Sequence, residues 1–203
     1  MSAQPQPRLT PEEYLEIERA AVDVRSEFYD GRMYAMSGGT HPHALIALNL
    51  GAELRSALKR GSCVVSGSDT RVRVSPQGLY TYPDLAVVCG EPKFADGRND
   101  TLVNPILLVE VLSPSTEAQD RGFKAQQYRK VESLQEYALV SQVEPRVEVF
   151  RRQAGGSWLF SEAVGMDSVC RFESVGAGIA LAEIYSKVTF ESGEPGGRPS
   201  AGA

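Results

Sequence analysis

The sequence predicts an α+β fold, with helices packed on a central mixed β-sheet. Two observations carry this prediction. Short apolar runs rich in β-branched residues recur through the middle of the chain, as in "CVVSGSDTRVRVS", "LYTYPDLAVVC" and "NPILLVEVLS", each bounded by Gly, Pro, Asn, Asp or Ser. Helical periodicity marks two segments near the N-terminus and a third over 115–131. The 203 residues show no internal repeat and suit one domain over 10–190, with a flexible start over 1–9 and a disordered Gly/Pro/Ser-rich tail over 191–203.

Thr10 opens the first helix, with Pro11 at its first position and Glu13 completing a capping box. In "SEFYDGRMYAM", Asp30-Gly31 between two β-prone runs predicts a hairpin. A second helix runs from near Thr40 to about Lys59, with Leu45, Leu48, Leu50, Leu54 and Leu58 as its expected buried side. Strands follow, and residues 90–104 have turn composition. The third helix leads to strands at "EYALVS", "RVEVFRR" and "WLFSEAV", with Gly155-Gly156 as the last hairpin turn. "LAEIYSKV" is expected to form a short helix.

The chain carries 21 basic and 26 acidic residues, a net charge of −5, which argues against a surface that is basic all over but leaves room for a local basic patch. Cys63, Cys89 and Cys170 lack zinc-like spacing and read as small core residues of a reducing compartment. The N-terminus has no apolar signal segment and no stretch is long enough to span a membrane. The sequence therefore predicts a cytoplasmic protein without a membrane partner.

Glu110 raises the chemical question. It sits within "ILLVEVL", a run that reads as a strand buried on both faces. An ionised carboxylate there costs several kcal/mol unless it is paired. Asp84, after Pro83, lies in another apolar strand 26 residues earlier. If the two strands are neighbours, the two carboxylates share one end of the sheet and repel. One is then protonated, or a hard divalent cation such as Mg²⁺ or Mn²⁺ lies between them. A plain ion pair of Glu110 with a lysine or arginine is the alternative. Glu117, Asp120, Lys124 and Tyr128 fall on one face of the following helix. Lys124 could reach the carboxylates, or could simply form a surface pair with Asp120.

"SEFYDGRMYAM", "TYPDLAVVCGEP" and "LVEVLSPSTEAQDRGFKAQQYR" together resemble the bacterial restriction endonuclease family of the PD-(D/E)XK nuclease superfamily, long known only as a domain of unknown function. The resemblance runs from about Pro11 to Val188. It implies a restriction-endonuclease-like core with a four-stranded mixed sheet, Mg²⁺-dependent phosphodiester hydrolysis and a homodimer. Asp84 and Glu110 match the family's two acids. Leu112 stands where the superfamily has its lysine, and Lys124 matches the position to which this family has moved it. Glu27 matches an upstream glutamate that would hold a second metal or orient water. Asp84, Glu110 and the Val111 carbonyl would hold Mg²⁺ or Mn²⁺, and Lys124 would position or deprotonate the attacking water. Asp120 would orient Lys124, and Asp69 and His43 would support the site.

The expected substrate is DNA, with RNA open, bound by Arg71, Arg73, Arg121, Arg129 and Lys130. Tyr82 could stack on a base or belong to the core. His41 reads as a residue near the helix cap, and Trp158 as packing. A catalytically inactive nuclease fold that binds nucleic acid or a protein is the competing expectation.

Overall fold

The computed structural model describes residues 8–190, so the predicted tail and most of the N-terminal arm lie outside the described residues. Helix α1 (Pro11–Ala20) starts as its sequence dictates: the Thr10 side chain accepts from the Glu13 N–H, and Glu13 Oε2 accepts from the Thr10 N–H at 2.7 Å. Residues 8 and 9 depart from the expected flexible start. The Leu9 N–H donates to the Gly31 carbonyl at 3.0 Å, and Arg8 pairs with Asp30. Strands β1 (Ser26–Tyr29) and β2 (Arg32–Ala35) form the predicted hairpin. Its turn holds Asp30 at φ 48° and Gly31 at φ 76°, the left-handed pair that a two-residue turn requires.

Helix α2 (His41–Leu58) buries Ile46, Leu50, Leu54 and Leu58. Leu48, expected on the buried side, is 69% exposed, and Leu45 is only partly covered. The 3.6-residue period through Leu50 selects Ile46 and Leu54, one turn either side, and turns Leu48 outward.

The strand-rich block then divides between two sheets. Strands β3 (Cys63–Gly67), β4 (Arg71–Arg73), β5 (Tyr80–Thr81), β6 (Leu85–Cys89), β7 (Thr101–Leu102) and β8 (Leu107–Val111) precede the third helical segment. β9 (Glu136–Val140), β10 (Arg146–Arg152) and β11 (Trp158–Val164) follow it. A six-stranded sheet has the order β11-β10-β9-β8-β6-β3, wider than the four strands the resemblance implies, and a five-stranded sheet has the order β2-β1-β5-β4-β7. Each of the two predicted strand blocks thus crosses between sheets. The first crosses at the Ser68–Thr70 turn. The second crosses at Pro83, which has no N–H to continue a ladder. The 90–104 excursion contributes β7, parallel to β4.

β8 is the central strand, antiparallel to β6 and parallel to β9. Leu107, Val109 and Val111 enter the core under α2, while Leu108 and Leu112 enter the core on the other face, with Tyr128 and Leu134. Glu110 falls between Leu108 and Leu112 in this alternation. A third cluster, Tyr14, Phe28 and Tyr80, seals α1 onto the five-stranded sheet.

Two sequence expectations fail away from the site. Cys63 and Cys89 are not separate core thiols: they are directly opposed in the β3–β6 ladder, with Cα atoms 3.9 Å apart, and form a disulfide. Cys170 is buried and free, as expected. Gly155-Gly156 is not the last hairpin turn, because β12 (Val169–Phe172) and β13 (Ala177–Ala180) form another around Gly176, at φ 66°. Small residues in "VGAGIA" blur the strand pattern there. The short helix α5 (Leu181–Ile184) lies where expected. No helix among the described residues is long and apolar enough to cross a membrane.

Candidate active site

The third helical segment, expected over 115–131, is irregular. It consists of α3 (Glu117–Gln119), a π-helical turn over Asp120–Lys124, and α4 (Ala125–Tyr128). In the wide turn the Ala125 N–H donates to the Asp120 carbonyl, five residues back. The segment directs Asp120, Lys124 and Tyr128 inward, all three buried. Glu117, the fourth residue expected on this face, is exposed and pairs with Arg121.

Lys124 is the hub. Its ammonium lies 3.2 Å from Glu27 Oε1 on β1, 3.2 Å from Glu110 Oε1 on β8 and 3.3 Å from Asp120 Oδ1. It thereby ties the five-stranded sheet to the six-stranded one. Tyr128 donates to Glu110 Oε1 at 2.7 Å, and the Thr81 hydroxyl donates to Glu27. Despite its 3.3 Å approach to Lys124, Asp120 Oδ1 forms no hydrogen bond. It is the only buried side-chain polar atom among the described residues without such a partner.

Asp84 stands at the crossing between the sheets. One step beyond the Leu85–Val109 pair, the register sets it opposite Glu110, so the expected adjacency of the two strands holds. Asp84 Oδ2 accepts the Val111 N–H at 2.7 Å and lies 3.3 Å from His43 Nε2 at the start of α2. The hydrogen bond to Asp84 raises the His43 pKa, and burial opposes that rise. The Val111 carbonyl also faces the imidazole and raises it further.

Burial pushes the Glu110 carboxyl up to about 8, with the negative charges of Asp120 and Asp84 adding to the effect and Lys124 and Tyr128 opposing it. Burial likewise raises Asp120. For Lys124 burial disfavours the ammonium, but Glu110, Glu27 and Asp120 outweigh it and hold the pKa well above the ordinary lysine value. The centre therefore contains four carboxylates for one lysine and one histidine. A divalent cation fits both that imbalance and the unpartnered Asp120 oxygen. Among the described residues no group of three or more Asp, Glu, His or Cys side chains is arranged to hold a metal ion. A cation held by Asp84, Glu110 and the Val111 carbonyl would keep water as its remaining ligands, which suits Mg²⁺.

The other expected residues fall elsewhere. Asp69 is exposed in the β3–β4 turn and pairs with Arg25. Arg71 is no surface cation: it is 4% exposed, donates to Thr101 and Tyr82, and pairs with Asp100. Arg73 is partly covered. Arg121 is held in two hydrogen bonds by Glu148. Arg129 and Lys130 are exposed, although Lys130 bonds Gln127. Tyr82 is buried and donates to Glu18, so it belongs to the core. His41 is exposed, beside the helix cap as expected. Trp158 packs at the edge of the second core, under Arg152. Thr81 has no place in the site expected from the sequence, and Tyr128 enters it only as part of a helix face, although the spacing of Asp120, Lys124 and Tyr128 at four-residue intervals carries the signal.

Two uncharacterized proteins of Synechocystis sp. are similar to this chain. One, slr1290, is 35% identical over 187 residues, covering 92% of this chain and 96% of the relative. The other, sll1609, is 34% identical over 164 residues, covering 81% and 92%. The crystal structure of a protein from Anabaena variabilis, titled as a putative nuclease belonging to DUF820, shares the fold. Its TM-score is 0.70 at 17% identity, over 88% of this chain and 98% of that one. Residues 11–182 match the model of the Uma2 family, described as "Putative restriction endonuclease", and the chain belongs to that family.

Proposed function

We propose that the protein is a divalent-metal-dependent endonuclease that hydrolyses phosphodiester bonds in DNA. The observation that carries this reading is the convergence of Glu27, Glu110 and Asp120 on Lys124, with Asp84 beside them. A purely structural ion cluster would balance its charges, and this one has carboxylates in excess. Asp84, Glu110 and the Val111 carbonyl would hold Mg²⁺ or Mn²⁺. When bound, such an ion supplies charge neutralisation at the phosphate and acidifies water. Lys124, kept cationic by its carboxylate neighbours, donates hydrogen bonds that orient the attacking water and offset charge on a phosphate oxygen. Of the two roles expected for it, positioning water fits a raised pKa and deprotonating water does not. Asp120 orients the Lys124 ammonium, and Glu27 with Thr81 fixes it from the opposite sheet.

The test is cleavage of plasmid and of labelled single-stranded DNA and RNA, with and without Mg²⁺ or Mn²⁺, using Glu110→Ala as the control. Metal-dependent cutting of DNA that the substitution abolishes supports the reading. Cutting confined to RNA reassigns the substrate. Neither cutting nor calorimetric metal binding, with the protein folded, overturns the reading in favour of a binding module.

A further inference from the structure

Of the cations expected to bind nucleic acid, Arg71 is buried and Arg121 is held by Glu117 and Glu148, so a substrate draws on other residues as well. A cavity of about 810 Å³ opens beside Asp84 and His43. Its floor is the outer side of α2, where Ala44, Ala47 and Gly51 present little bulk beside Leu48, and its walls come from residues 36–39 and the end of β3. Leu48, which the helical period turns outward and leaves 69% exposed, lines this cavity. Two cations lie on it. The Arg25 side chain is 49% exposed and pairs with the exposed Asp69, and Arg55 is exposed and makes no ion pair among the described residues; Asp23 also lines the cavity.

We infer that this groove seats one unpaired strand of nucleic acid, with sugars and bases against Leu48 and the small residues of α2, and phosphates near Arg55 and Arg25. This rests on the nuclease reading, because Asp84 at the groove end is where the scissile phosphate would arrive. The groove's size is that of a small-molecule site, about 300–1,000 Å³. A short run of single strand fits that volume, whereas a duplex whose major groove alone is about 12 Å wide does not enter it. The groove lining contains no Phe, Tyr or Trp, and its His43 imidazole is held by Asp84. Its grip is therefore apolar contact plus charge, without the stacking that would favour particular bases.

The experiment measures fluorescence anisotropy of a labelled 20-nucleotide single strand, and of the same sequence as a duplex, on the Glu110→Gln protein without metal. Leu48→Glu and Arg55→Glu are the test substitutions, both at exposed positions on α2. Ser56→Glu, on the same helix and outside the groove, is the control. The expected result is a single-strand affinity at least tenfold above that for duplex, lowered about tenfold by either test substitution and unmoved by the control. Arg55→Glu should also flatten the dependence of log Kd on log salt by about one unit. Equal affinity in all variants, no binding by the parent, or a duplex preference overturns the groove assignment. Retained metal-dependent cleavage alongside any of these leaves the nuclease reading standing. Loss of cleavage activity in the native sequence with groove-dependent binding intact does the reverse.

Discussion

Glu110 and Glu136 lie on adjacent parallel strands, β8 and β9, and are 4% and 0% exposed. Their surroundings differ in kind. Glu136 accepts from Arg151 Nε at 2.7 Å, from the Glu173 and Ser174 N–H groups at 3.1 and 3.0 Å, and from the Ser174 hydroxyl at 2.6 Å. It caps the short 3₁₀ turn Glu173–Val175 and anchors the β12–β13 hairpin to the large sheet. Each of its oxygens has two donors. Glu110 receives one tyrosine hydroxyl and a third share of one ammonium, both on Oε1. One buried acid is saturated by the fold. The other is left with capacity, beside more acids than the local cations can match. Burial alone does not mark a functional carboxylate. Incomplete satisfaction is what singles out Glu110 as a candidate.

The contrast can be broken most directly by substitution. Glu110→Ala should lower DNA cleavage by about 10²–10³-fold or more while the thermal transition stays sharp, checked by plasmid relaxation and calorimetry on one preparation. Glu136→Ala should do the opposite. It leaves the Glu173 and Ser174 amides without their acceptor and Arg151 with Glu173 alone, so stability should fall by about 3–5 kcal/mol in urea unfolding. Activity per folded molecule should change little. If both substitutions cost mainly stability, Glu110 is structural and the distinction collapses.

pH sharpens the same comparison. The Glu110 pKa is about 8 in the fold, against an ordinary 4.5. Its folded value is raised, so between those values the unfolded chain has released a proton that the fold retains. Metal-free stability should therefore decline as pH rises from about 5 to 8 relative to Glu110→Gln, and Mg²⁺ should restore it. Urea midpoints at pH 5, 6.5 and 8 measure this, and parallel midpoints would remove Glu110 from the charge imbalance. Asp100 provides the converse. Its hydrogen bond from Arg19, aided by Arg71, holds its carboxyl well below the usual range. The stability it lends is present at neutral pH and lost as pH falls below about 4, so Asp100→Asn should narrow the difference between neutral and acid stability. The smallest effect expected is at α1. Thr10→Ala removes the cap and should cost about 1 kcal/mol in thermal unfolding, with cleavage unchanged.

Much of this was legible in the sequence because it depends on local alternation. An apolar strand that contains a single acid announces a buried carboxylate, and two such strands joined by a turn-rich excursion are natural neighbours. The four-residue spacing of Asp120, Lys124 and Tyr128 survives even a π-helical turn. Long-range pairing was not legible. "TRVRV" alternates equally well whether its arginines face solvent or, as with Arg71, a buried Asp100 and Tyr82. Arg121 reads as a surface cation until Glu148 is folded against it. The crossing of each strand block between two sheets was hidden because a turn within a block looks the same in either case. Thr81 carries no sequence signal, since only the pairing of β5 with β1 brings it to Glu27.

The hub position of Lys124 also bears on when the centre can exist. Its partners come from residues 27, 110 and 120, and the lysine itself is later in the chain than all of them. During synthesis the acids leave the ribosome first, with nothing to gather them. β8 cannot find its parallel neighbour until residue 140 has emerged. A truncated or half-made chain holds the acids but not the bolt between the two sheets.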